Sequence, residues 1–173
     1  MRESVKRVWM YPRGVRDFLP FSEMRSTPEL LRVLALANTA VKTCPTSVRL
    51  VDGKIYVVLN GLFAALPALQ FPDLESLVPN IESEHVTLVN SDVVCKQDAK
   101  AVDGLLEKWK DVPIDIQFTG FKHTVSLDWA PFSVCVVASL TSAAITQFLL
   151  EWNALFGTSI KPVAHVTFAV LPR

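Results

Sequence analysis

The stretch Glu84-His85-Val86-Thr87-Leu88-Val89-Asn90 alternates polar and apolar side chains, and His165-Val166-Thr167-Phe168-Ala169-Val170 repeats its opening near the C-terminus. In an extended chain, residues two apart share a face. Each stretch therefore reads as a strand that shows a histidine and a threonine on one side. The other side sends Val86 and Leu88, or Val166 and Phe168, into a core.

Working outward from the first of these strands, Asp92 is placed to cap a helix bearing Ala99, Val102, Leu105, Leu106 and Trp109 on one side. Ile114, Ile116 and Phe118 then alternate with polar residues as a second strand, which Thr124 to Leu127 continues or pairs with. Ser133 to Ser139 reads as a more buried strand. Thr141 or Ser142 caps another helix, with Ile145, Phe148, Leu149, Trp152, Leu155 and Phe156 inward and Gly157 as its stop. Upstream, Lys54 to Leu59 is a strand between the turns Asp52-Gly53 and Asn60-Gly61. Leu62 to Ile81, with Pro67, Pro72 and Pro79, reads as short helix and loop. Ser26-Thr27-Pro28-Glu29 opens a helix with the stripe Leu30, Leu34, Ala37 and Val41, ending before Cys44-Pro45. Strands and helices mix without a regular βαβ repeat, and no glycine-rich phosphate loop is present. The expected class is α+β with antiparallel sheets. Residues 1–45 read as an N-terminal extension with one helix, packed on or leading into a domain over 46–173.

Composition bounds the chemistry. The 173 residues are 50% hydrophobic and 20% charged, enough to bury a full core. Seventeen basic residues balance seventeen acidic ones. A protein gripping a long duplex usually carries a basic excess, so neutrality points to a small or short partner, such as a small nucleotide or short RNA. Cys44, Cys95 and Cys135 form no CxxC or CxxH pair, which argues against a disulfide framework or a structural zinc site. Cys95 and Cys135 lie in apolar runs and read as core residues. A reducing, cytoplasmic setting follows, with a monomer as the default. No run approaches the ~20 apolar residues of a membrane span. The basic segment Met1 to Phe18 lacks the apolar core of a secretory signal.

The matched motifs carry the chemistry. Two such strands would line a cleft with two imidazoles and two hydroxyls, a set suited to cleaving a phosphodiester without metal or other cofactor. One neutral imidazole takes a proton from the attacking hydroxyl, and the other, protonated, donates to the leaving oxygen. An unperturbed pKa of ~6.5 leaves both forms populated near neutrality. Thr87 and Thr167 are placed to donate to the non-bridging phosphate oxygens. No Asp, Glu or Cys sits at ligand spacing beside either motif, so no metal site is expected.

The paired H-h-[ST]-h tetrapeptides His85-Val86-Thr87-Leu88 and His165-Val166-Thr167-Phe168 resemble those of the 2H phosphoesterase superfamily. The resemblance runs over roughly Lys54 to Arg173. It implies a bilobal fold of two antiparallel sheets with helices outside, each lobe giving one motif to a central cleft. It also implies hydrolysis or cyclisation at ribonucleotide 2′,5′ or 2′,3′-cyclic phosphodiesters, with His85, Thr87, His165 and Thr167 as the catalytic set. The sequence departs from the family's usual pattern at the second motif. Ala164, not proline, precedes His165, and the next basic residue is Arg173.

Other residues enter as candidate substrate contacts. Lys122 and Lys161 are candidates for phosphate, and Tyr56, Trp129 and Phe132 for stacking on a base. His123, in Lys122-His123-Thr124-Val125, lacks the hydroxyl two positions on and reads as a strand-end surface residue. An alternative for the whole chain is a catalytically silent nucleotide- or RNA-binding module on the same fold.

Overall fold

In the computed structural model the described residues are 22–23, 27–66, 78–79, 84–125, 132–162 and 164–172. The chain first forms β1 (Ser22–Glu23) and helix α1 (Pro28–Val41), whose first turn is capped by the Thr27 hydroxyl accepting from the Leu30 N–H at 3.2 Å. Strands β2 (Thr46–Val51) and β3 (Lys54–Leu59) make a hairpin. Its two-residue turn needs positive φ at both positions, and Asp52 and Gly53 supply 49° and 73°. A short 3₁₀ turn (Phe63–Ala65), β4 (Val78–Pro79) and β5 (His85–Val89) follow. Next come α2 (Ser91–Val94), α3 (Ala99–Trp109), β6 (Gln117–Val125), β7 (Phe132–Thr141), α4 (Ala143–Phe156) and β8 (Ala164–Pro172).

The architecture is α+β with two antiparallel sheets. One has five strands in the order β1-β6-β7-β8-β4, the other three in the order β2-β3-β5. One core serves both sheets. It joins Val48, Ile55, Val57, Leu59, Val86 and Leu88 of the smaller sheet to Phe118, Phe121, Val136, Ala138, Val166 and Phe168 of the larger. The Phe168 ring meets Phe63, Phe118 and Phe121 edge-on, with centroids at 5.2, 5.4 and 5.3 Å. Helix α1 adds Leu30, Val33, Ala37, Ala40 and Val41 to this same core. Its Asn38 carboxamide pairs with the Phe118 backbone, accepting at 2.7 Å and donating at 3.0 Å, beside a register shift in β6.

Several local expectations change. Strand β2 is absent from the sequence reading, although it supplies the outer edge of the smaller sheet. The helix expected from Asp92 is broken in two. Asp92 lies in the first turn of α2, and Asp98 caps α3 by accepting from Ala101 at 2.8 Å. Ile114 is buried but precedes β6, in a segment outside any strand. Cys95 is exposed just past α2, not in the core. Leu155 faces outward at 53% exposure, because the buried stripe of α4 is Ile145, Phe148, Leu149 and Trp152. Cys135, in β7, and the Leu127 end of the expected strand have no described side chains.

Candidate active site

The smaller sheet places the first motif. In β5, Val86 and Leu88 are buried while His85 and Thr87 are half-buried on the opposite face. The strand is held at its start by Glu84. Its carboxylate accepts from the N–H groups of Gly61 at 2.9 Å and Phe63 at 2.7 Å, and its carbonyl accepts from Leu59 at 2.8 Å. Register then sets the neighbours. Thr87 lies opposite Tyr56, which lies opposite Arg49; His85 lies opposite Val58, which lies opposite Ser47. Directly paired residues point to the same side of a sheet, so these six share one face. The Tyr56 ring packs on the His85 imidazole with centroids 4.1 Å apart and planes tilted by 38°. Arg49 is exposed and donates to the Ser47 hydroxyl at 2.9 Å.

The larger sheet repeats the plan. In β8, Val166 and Phe168 are fully buried, and His165 and Thr167 are half-buried on the other face. Thr167 lies opposite Val137, which lies opposite Lys122. His165 lies opposite Ser139, which lies opposite Gly120. The core face of the same strands carries Phe121, Ala138 and Val166. Strands β5 and β8 lie against each other, which brings the two histidine-bearing strands together.

The two imidazoles feel each other electrostatically. Burial pushes the His85 pKa below the ordinary histidine value, and the Lys54 ammonium, on the Tyr56 side of β3, lowers it further. Burial also lowers His165, and the charge of His85 adds to the effect. Protonating one imidazole therefore opposes protonating the other. That favours the mixed state, one proton over two rings, which acid–base catalysis needs. The Tyr56 hydroxyl is shifted upward by burial and by Asp52, so it stays protonated and is able to donate.

The remaining candidates divide. Tyr56 and Lys122 fall on the faces that carry the motifs. Lys161 is exposed on the segment between α4 and β8. Phe132 pairs with Pro172, seven residues along β7 from the partner of His165, which is roughly 23 Å along a strand. Trp129 lies outside the described residues, as does the side chain of His123, which occupies the β6 position paired with Val136. Sequence reasoning missed Arg49 and Lys54. The Asp52-Gly53 turn flanked by two six-residue runs was the signal that pairs Arg49 with Tyr56 and sets Lys54 two residues from Tyr56 on the same strand. Among the described residues no group of three or more His, Cys, Asp or Glu could hold a metal ion, and no helix is long and apolar enough to cross a membrane. In comparisons with known proteins no family model, curated protein or solved structure matches the chain.

Proposed function

We propose that this chain is a metal-independent phosphodiesterase of the two-histidine kind, acting on ribonucleotide 2′,5′ or 2′,3′-cyclic phosphodiesters. One observation carries the reading. Strands β5 and β8 lie against each other, and each shows a histidine and a threonine two residues apart on the face turned away from the buried valine and its apolar partner. The neutral imidazole takes the proton of the attacking hydroxyl, either water or a ribose oxygen. The protonated imidazole passes its proton to the leaving oxygen, so the pair ends with its roles exchanged. Thr87 and Thr167 donate hydrogen bonds to the non-bridging oxygens, whose charge must be held as the phosphorus adds its fifth ligand.

The test is a substrate panel of 2′,3′-cyclic nucleotides, 2′,5′-linked oligoadenylate and cyclic dinucleotides, with products resolved by mass. Cleavage of at least one member that persists in EDTA is the expected result. Turnover abolished by the chelator removes the mechanism. Tight ligand binding with no product over hours would instead favour the silent binding module.

A further inference from the structure

The two motif faces match beyond the motifs themselves. Counting outward across each sheet, the threonine rows read Thr87–Tyr56–Arg49 and Thr167–Val137–Lys122. The histidine rows read His85–Val58–Ser47 and His165–Ser139–Gly120. Each sheet thus sets a cation two strands out from its threonine, roughly 9.5 Å away at ordinary strand spacing. Lys54 stands beside Tyr56 on the smaller sheet and acts electrostatically on His85.

The strands that carry these rows, β2, β3, β5, β6, β7 and β8, contain no aspartate or glutamate. None of the chain's 17 acidic residues therefore belongs to these six strands, and the acids nearest the rows come from outside them. Asp52 of the hairpin turn acts electrostatically on the Tyr56 hydroxyl, and Glu23 of β1 is the register partner of Lys122. Two strands out from His165, a side chain added at Gly120 would meet nothing within 4 Å among the described residues.

We infer that Arg49 with Lys54, and Lys122 on the other sheet, form two outer phosphate subsites that flank the site of cleavage. The preferred substrate then carries further phosphates on both sides of the scissile linkage. That describes a linear or cyclic oligoribonucleotide, not a cyclic mononucleotide. A guanidinium held by Ser47 at 2.9 Å suits two-point contact with phosphate, and an ammonium acts as a point charge. The inference rests on the two-histidine reading for the position of the central phosphate, but it is testable by binding alone.

The experiment measures fluorescence anisotropy with two probes, a labelled 2′-O-methyl trinucleotide bearing both terminal phosphates and a labelled dinucleotide without them. Wild type should bind the longer probe at least ~10-fold more tightly. Arg49→Gln and Lys122→Gln should each narrow that preference several-fold and lower the salt slope by about 0.7, the single-strand value per contact. Lys122→Arg, which keeps the charge, should retain the preference. Equal affinity for both probes, or a preference untouched by either glutamine variant, overturns the subsites. A preserved length preference in a protein that cleaves no panel member would leave the subsites standing and remove the catalytic reading.

Discussion

The imidazoles of His85 and His165 are half-buried, with protonation disfavoured first by burial and then by a neighbouring positive charge. Replacing either by alanine should lower kcat by roughly 10²–10⁴-fold, the usual contribution of a general acid or base. Single-turnover assays separate this from weakened binding. Because both groups titrate below the ordinary ~6.5, the bell-shaped kcat/KM profile should crest on the acid side of that value. Lys54→Met removes a charge that lowers His85 and should move the limb that His85 sets to higher pH; a profile with both limbs unmoved would exclude Lys54 as the tuning charge. Stability has the same sign. The unfolded chain takes up protons near pH ~6.5 that the folded imidazoles resist, so their contribution is complete above that pH and is lost as pH falls through the folded values. At the threonines, serine should retain most activity and alanine should lose about 10²-fold, the scale of one lost oxyanion donor. The histidines and threonines were legible because each recurs at the start of a period-two run. Tyr56 packing on His85 was not, since a diagonal neighbour depends on a register that no single strand encodes.

Individual elements are fixed at their ends by side chains from elsewhere in the chain. Ser142 caps α4 by accepting from Ile145 at 3.0 Å, and Asp115 adds a carboxylate that accepts from Ala143 at 3.1 Å and Ala144 at 3.0 Å. Burial alone would raise the Asp115 pKa, but these N–H groups and the Ser142 hydroxyl outweigh it and hold it below the usual range. Its stabilisation is therefore present above the unfolded carboxylate pKa and fades as pH falls through the folded value. Asp115→Ala should cost about 1 kcal/mol at neutral pH in denaturant titrations, a modest figure because the group is exposed. Strand β5 depends likewise on Glu84, 21 residues from Phe63 in sequence yet 2.7 Å from its N–H. Glu84→Ala should loosen the start of β5 and lower kcat through His85, with faster amide exchange at Gly61 and Phe63 as the sign of that route. Helix α1 was legible from its cap and apolar stripe, and strand β3 from the turns that flank it. Asp98 lost to Asp92 as the expected cap because both offer the same carboxylate. The choice turns on Cys95-Lys96-Gln97 breaking the helix between them.

At the scale of the molecule, both sheets and helix α1 share one core, with Phe168 fully buried at its centre. Phe168→Ala should destabilise by about 3–5 kcal/mol, read by thermal or denaturant unfolding, since three aromatic rings lose their common partner. A chain shortened to begin at Pro45 would lose Leu30, Val33, Ala37, Ala40 and Val41 from the core, and dye binding to exposed apolar surface should report it. The α+β class was visible in the alternation of elements. The five- and three-stranded division was not, because β1 and β4 are two residues each and carry no periodicity. The continuity of the core also constrains how the two histidine-bearing strands move. Two lobes joined by a flexible connector would rock about a hinge, whereas interdigitated rings resist any opening that pulls Phe63 away from Phe168. The spacing between the imidazoles is thereby a property of the cooperative fold, and thermal inactivation should track global melting in a single step.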